Sequence, residues 1–169
     1  MSTPQGFMSV AELIHFLGRN PMSRKLIARV YELGDTSIIT PFHHLHLTGL
    51  SIEADNMGPI LDALTLPSLE ELRLIYPNGT PESGILPKHK ILSLVAKSNA
   101  RLRSLTVVTR IYGQQGISKE DQLEVVTKLT FLQYFWASDG LVDLVVHDDV
   151  CGILSRRREW YQQAMLMYH

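Results

Sequence analysis

The feature that most constrains this chain is a leucine spacing that returns along it. In the stretch Leu66–Leu74, LPSLEELRL, the residues Leu69, Leu72 and Leu74 are spaced L-x-x-L-x-L behind a turn at Pro67-Ser68. The same spacing occurs at Phe42, Leu45 and Leu47, at Leu102, Leu105 and Val107, and at Leu132, Phe135 and Ala137. A weaker copy sits at Ser23, Leu26 and Ala28. The clear copies begin 27, 33 and 30 residues apart, which leaves room for one helix between successive strands. A strand–loop–helix unit of about 30 residues cannot bury its own apolar side, so neighbours must stack to do it. Strands joined through helices run parallel, with right-handed crossovers.

The expected fold is therefore α/β: a leucine-rich-repeat-like right-handed solenoid, with a short curved parallel sheet, helices on the convex side and helical caps. Residues 1–6 read as a flexible tail and 7–154 as the repeat domain. Strands are expected near 26–30, 42–47, 69–74, 102–108 and 132–137, with a loop at Thr48–Ala54. Asp139-Gly140 is a hairpin signal, and the β-formers after it suggest an edge strand at 141–147, antiparallel to the rest. Leu141, Leu144 and Val146 also repeat the leucine spacing, so another repeat strand stays open there.

Helix starts are written by their caps. Ser9 with Glu12 forms a capping box ahead of Leu13, Ile14, Phe16 and Leu17. Asp55 or Asn56 precedes a helix that carries Pro59 in its first turn and Ile60, Leu61 and Leu64 as its stripe. Pro87 opens the next, with Ile91, Leu92, Leu94 and Val95 running up to Asn99. Ser118 starts another, whose inward side is Leu123, Val125, Val126 and Leu129. A C-terminal capping helix is expected at 153–169, with Ile153, Leu154, Trp160, Tyr161, Ala164, Met165 and Tyr168 near one side.

Side chains alternate along a strand, so the residues between the leucines face outward on the concave surface. The pairs are Lys25 and Ile27, His44 and His46, Glu71 and Arg73, Ser104 and Thr106, and Tyr134 and Trp136. Trp, Tyr and Arg are the types that most often anchor protein interfaces, which makes this row the candidate partner-binding face. The bland reading of the same row is solvent-exposed strand filler.

Nothing in the residues points to catalysis. His44 and His46 share a strand face, but no cysteine or carboxylate cluster completes a metal site. Cys151 has neither a base at a known spacing nor an oxyanion donor, and reads as a partly buried structural thiol. Gly113-Gln-Gln-Gly116 lacks the Gly-Lys-Ser/Thr ending of a phosphate loop. Arg156, Arg157 and Arg158 read as a solvated helix face. A net charge of −1 makes no whole-chain case for nucleic acid or an anionic membrane. Glu12, His15 and Gly18 interrupt the only N-terminal apolar run, and no apolar run reaches about 18 residues. The expectation is a non-enzymatic, cytoplasmic or nuclear protein with no cofactor, no metal, no nucleic-acid partner and no membrane, which binds a protein.

The residue strings carry a resemblance as well. Pro41-Phe-His-His-Leu45-His-Leu47-Thr-Gly and Ile60-Leu-Asp-Ala-Leu-Thr-Leu-Pro-Ser-Leu-Glu-Glu-Leu-Arg-Leu74 resemble the leucine-rich part of F-box-like proteins abundant in mushroom-forming fungi. So do Ile91-Leu-Ser-Leu-Val-Ala-Lys-Ser with Leu102-Arg-Ser-Leu105, and Ile117-Ser-Lys-Glu-Asp ahead of Leu132. The resemblance covers about residues 8–154. It implies the substrate-recognition part of a ubiquitin-ligase adaptor of the Skp1–cullin–F-box type. No Leu-Pro-x-Glu segment of the F-box kind is present, so a Skp1-type adaptor is an expected partner only if an F-box is supplied elsewhere. The alternative is a structural or decayed repeat module with no ligase role.

Overall fold

Alternation decides the strands. Along Lys25–Val30 the side chains run strictly exposed then buried, and Glu71–Tyr76 nearly repeats the pattern. The computed structural model describes residues 6–31, 41–77, 87–109, 118–138, 143–144 and 148–167. The chain opens with β1 (Phe7–Met8), α1 (Val10–Arg19), β2 (Lys25–Val30), β3 (Phe42–His43) and β4 (Gly49–Glu53). It continues with α2 (Gly58–Ala63), β5 (Leu64–Thr65), β6 (Glu71–Tyr76), α3 (Lys88–Ser98) and β7 (Ser104–Thr109). It ends with α4 (Lys119–Lys128), β8 (Tyr134–Ser138), β9 (Asp143–Leu144) and α5 (Asp148–Met167).

One sheet organises the molecule, in the order β1-β2-β4-β6-β7-β8-β9. The pairings from β1 through β8 are parallel, and β9 closes the edge antiparallel to β8. The rest of 141–147 lies outside the described residues, as do Gly113–Gly116. The fold is thus mixed α/β with a mostly parallel sheet, and its strands follow one another in chain order.

A repeated main-chain device sets the register. The Arg24 carbonyl accepts the N–H groups of Thr48 and Gly49 at 2.8 and 3.0 Å. The Thr48 carbonyl does the same for Glu70 and Glu71, that of Glu70 for Arg103 and Ser104, and that of Arg103 for Gln133 and Tyr134. Five consecutive turns therefore hang on one another by paired hydrogen bonds just before their strands begin. Such buried or half-buried polar groups need partners, and this arrangement satisfies them without side chains.

The ladder corrects the expected strand at 42–47. Phe42 and His43 pair with Leu64 and Thr65 in a separate two-stranded ladder. The segment expected as a loop, Thr48–Ala54, contributes β4 instead, with Leu50 opposite Leu72 and Ile52 opposite Leu74. Leu47, Leu50 and Ile52 carry the leucine spacing too, and this is the copy that enters the sheet. Leu45, expected inside the stack, is 62% exposed. It lies between β3 and β4, where its carbonyl accepts a hydrogen bond from Ser68 Oγ at 2.6 Å.

One apolar cluster joins the buried side of the sheet to the helices. Leu26, Leu50, Ile52, Leu72, Leu74, Leu105, Val107 and Phe135 meet Leu13 and Leu17 of α1, Ile60 and Leu61 of α2, Ile91 and Leu94 of α3, and Val125 and Val126 of α4. Each fully buried side chain of this size contributes roughly 1.5–3 kcal/mol, far above any exposed ion pair. Ser9 caps α1 through the expected box: its Oγ accepts from Glu12 N–H at 3.2 Å and its N–H donates to the Glu12 carboxylate at 2.7 Å. Hydrogen bonding to the carboxylate, first by the Ser9 N–H and then by its side chain, holds the Glu12 carboxyl below its ordinary range. Ser118 Oγ accepts from Asp121 N–H to start α4. Asn99 ends α3 in the left-handed conformation, φ 50°, which asparagine tolerates better than most residues.

The C-terminal helix begins at Asp148, five residues before the expected 153, because Val150 is fully buried and belongs to the same core as Leu154. Trp160, Tyr161, Ala164 and Met165 fall within this helix, but their side chains, and Tyr168, lie outside the described residues. Arg157, expected on a solvated face, is a cap. Its guanidinium donates to the carbonyls of Val126 and Leu129 at 2.8 Å and of Leu132 at 3.3 Å. Lys97 of α3 does the same for α2, reaching the carbonyls of Leu61 and Asp62 at 2.8 and 2.7 Å. Helix ends leave carbonyls without partners, and here a cation from the following helix supplies them.

Candidate interaction surface

The helices cover one face of the sheet, and the other face of β2, β4, β6, β7 and β8 stays open. Two rows of side chains cross it. Strand pairing lines up Lys25, Gly49, Glu71, Ser104 and Tyr134 in one row, and Ile27, Ser51, Arg73, Thr106 and Trp136 in the next. A third row, Arg29, Glu53, Ile75 and Val108, follows toward the strand ends. Six of the eight candidate residues therefore gather on one surface: Glu71, Arg73, Ser104, Thr106, Tyr134 and Trp136. Lys25 and Ile27 join them.

His44 and His46 do not. His44 is 2% exposed, and its Nε2 lies 3.1 Å from the Asn20 carbonyl at the end of α1. His46 is exposed in the bend that follows. Both belong to the segment whose register differs from the expected one, so neither reaches the open face. Their places are taken by Gly49 and Ser51, which the expected loop at Thr48–Ala54 concealed. The signal that points to them is the second leucine spacing, Leu47, Leu50 and Ile52.

Charges on the face are paired in a regular way. Lys25 Nζ lies 2.8 Å from Glu71 Oε2, reaching across the whole of β4. Gly49 makes this possible: a Cβ there would stand 3.2 Å from Lys25 Cγ and 3.4 Å from Glu71 Oε2. Arg29 Nε binds Glu53 Oε2 at 3.1 Å, and its guanidinium also lies over the Phe7 ring at 5.9 Å. Arg158 of α5 lies over Tyr134, 5.4 Å from the ring centre, and steadies a ring that is 54% exposed. Arg73 has no ionic, hydrogen-bonded or ring partner among the described residues.

Large apolar side chains stand at both ends of the second row. Ile27 is 44% exposed and Trp136 40%. Half-buried Ile75 and Val108 pair across the third row beside them. Because Gly49 and Ser51 are small, β4 forms the floor of a depression of about 240 Å³, walled by Lys25, Ile27, Glu71 and Arg73 and reaching Ser104 and Thr106. Chemically this surface offers a cation, hydroxyl donors and apolar anchors.

Elsewhere, Cys151 is exposed on α5, not partly buried. Among the described residues, no three His, Cys, Asp or Glu side chains gather as a metal site would require. No helix among them is long and apolar enough to cross a membrane. Comparison with protein-family models, with curated proteins and with solved structures yields no match.

Proposed function

We propose that this chain is a protein-recognition module, a leucine-rich-repeat-like right-handed solenoid that binds a protein partner on the open face of its sheet. The observation that carries the reading is the composition of that face. Trp136, Tyr134 and Ile27 stand well exposed on the sheet, and Arg73, without a partner among the described residues, lies between Ile27 and Trp136. Aromatic and arginine side chains held in place by a scaffold are what interface hot spots are made of. Solenoids use their strand face in this way because stacking gives them an extended surface without further cost in ordering. The chain-order sheet and the recurrent paired hydrogen bonds at each turn support the solenoid reading.

The F-box-like resemblance gives the module a role: presenting substrates to a ubiquitin ligase, with Skp1-type docking supplied by a segment of the F-box kind. The test is a pull-down from fungal lysate with the chain and with a Tyr134→Ala, Trp136→Ala variant whose melting is unchanged. Partner proteins recovered by the first and lost with the second support recognition on this face. Equal recovery with both removes it. Skp1-type and cullin subunits among the recovered proteins support the ligase role, and their absence leaves a bare recognition module.

A further inference from the structure

We infer that the segment bound on this face carries an acidic side chain three residues from an apolar one, and that Arg73 receives the carboxylate. The inference rests on the open face being the binding face. Charge complementarity carries it. Lys25 is neutralised by Glu71 and Arg29 by Glu53, while Arg158 is laid on Tyr134. Arg73, in the middle strand of the open face, has no such partner among the described residues. Its planar fork of donors matches a carboxylate with two parallel hydrogen bonds. Ser51 and Thr106 stand directly beside it on the flanking strands, so their hydroxyls can donate to the same group.

Size and spacing narrow the occupant further. The depression of about 240 Å³ at Gly49 and Ser51 is smaller than the roughly 300 Å³ at which small-molecule pockets begin, and suits a side chain of a peptide. Ile27 and Trp136 each lie two strands away from Arg73 in the same row. At about 4.8 Å per strand that is about 10 Å, which a segment in the polyproline II conformation covers in one turn of three residues at about 3.1 Å each, bringing its i and i+3 side chains to the same side. A segment crossing the strands with Asp or Glu on Arg73 thus places a residue three positions away on Trp136 or, in the other direction, on Ile27. A single guanidinium with two hydroxyls fits a carboxylate better than a phosphate, which draws on several cations.

Selection of a random-peptide display library on the full chain tests this. The expected result is enrichment of Asp or Glu with a large apolar residue three positions away. Binding of a selected peptide should fall about tenfold or more on Arg73→Gln, as loss of a charged hydrogen-bonded pair implies. Arg73→Glu should turn the selection toward Lys and Arg. Arg73 is exposed, so both variants should melt as the parent does. Peptides without acidic preference that still depend on Trp136 would overturn the inference and leave the recognition face standing. Peptides indifferent to both Arg73→Gln and Trp136→Ala would overturn both.

Discussion

Lys25 and Glu71 form an ion pair of 2.8 Å although they belong to strands that do not touch. The strand between them, β4, presents Gly49 at the crossing point, where a Cβ would press on the Lys25 stem at 3.2 Å and touch the Glu71 carboxylate at 3.4 Å. Glycine normally weakens a strand, so its presence inside one marks a place where something passes close by. Here it is the lysine stem and the glutamate carboxylate.

Because both partners are exposed, the pair itself should add little. A double-mutant cycle with Lys25→Ala and Glu71→Ala, read by urea denaturation, should return a coupling below about 1 kcal/mol that shrinks in high salt. In a Gly49→Val background the coupling should vanish, since the new side chain occupies the crossing point. Coupling that survives there would show that the pair does not pass over Gly49.

The register of the second repeat makes a sharper test. Leu50 is buried against Leu72, whereas Leu45 is exposed. Leu50→Ala should cost about 2–5 kcal/mol, the usual range for a large core side chain, and Leu45→Ala no more than about 0.5 kcal/mol. The reverse order would restore the strand at 42–47.

An ion-pair cluster ties α3 to α4 and predicts an acid limb. Lys88 Nζ lies 2.6 Å from Asp121 and 2.7 Å from Glu124, and Lys128 Nζ 2.6 Å from Glu124. Hydrogen bonds from Lys128 and then Lys88 hold the Glu124 carboxyl down at about 2. A carboxyl lowered by folding stabilises the fold above its ordinary value of 4.5, and that contribution is lost as pH falls toward about 2. Lys88, raised to about 12 chiefly by Asp121 and then Glu124, contributes below 10.5 and loses its effect as pH rises through about 12. Urea midpoints measured from neutral pH to pH 2 should fall less steeply for Glu124→Gln than for the parent, and parallel curves would remove the cluster from the acid response.

The arginine triplet should divide by role. Arg157→Ala removes the guanidinium from three carbonyls around the end of α4, of which that of Leu129 keeps the Leu132 N–H, and should cost about 1–3 kcal/mol. Arg156→Ala, on an exposed side chain, should stay within about 0.5 kcal/mol. Hydrogen exchange at the last turn of α4 should speed up in the first variant and not in the second. Equal effects would deny Arg157 its capping role.

Local signals in this chain were reliable wherever one segment carried the whole reason. Ser9 with Glu12 and Ser118 with Asp121 start helices through bonds between residues three positions apart, and the structure has both. The strands through Leu72, Leu105 and Phe135 were legible because each has only one alternation that buries its leucines. At residues 42–52 the chain offers the leucine spacing twice, overlapping at Leu47, and nothing local chooses between them. The first copy of the spacing therefore places His44 and His46 on the open face and hides Gly49 and Ser51, which the second copy puts there.

What the sequence by itself determined is the period: apolar residues two apart on strands, caps between them, and an outward row ending in Tyr134 and Trp136. That follows from backbone geometry, which needs no neighbour. What only the tertiary structure decided is the register. The Arg24 carbonyl accepts from the N–H groups of Thr48 and Gly49, the Thr48 carbonyl from those of Glu70 and Glu71, and a one-residue slip in a strand turns every side chain to the opposite face. That choice buries Leu50, exposes Leu45, and sets Gly49 between Lys25 and Glu71. It also leaves Arg73 in the centre of the open face, flanked by Ser51 and Thr106.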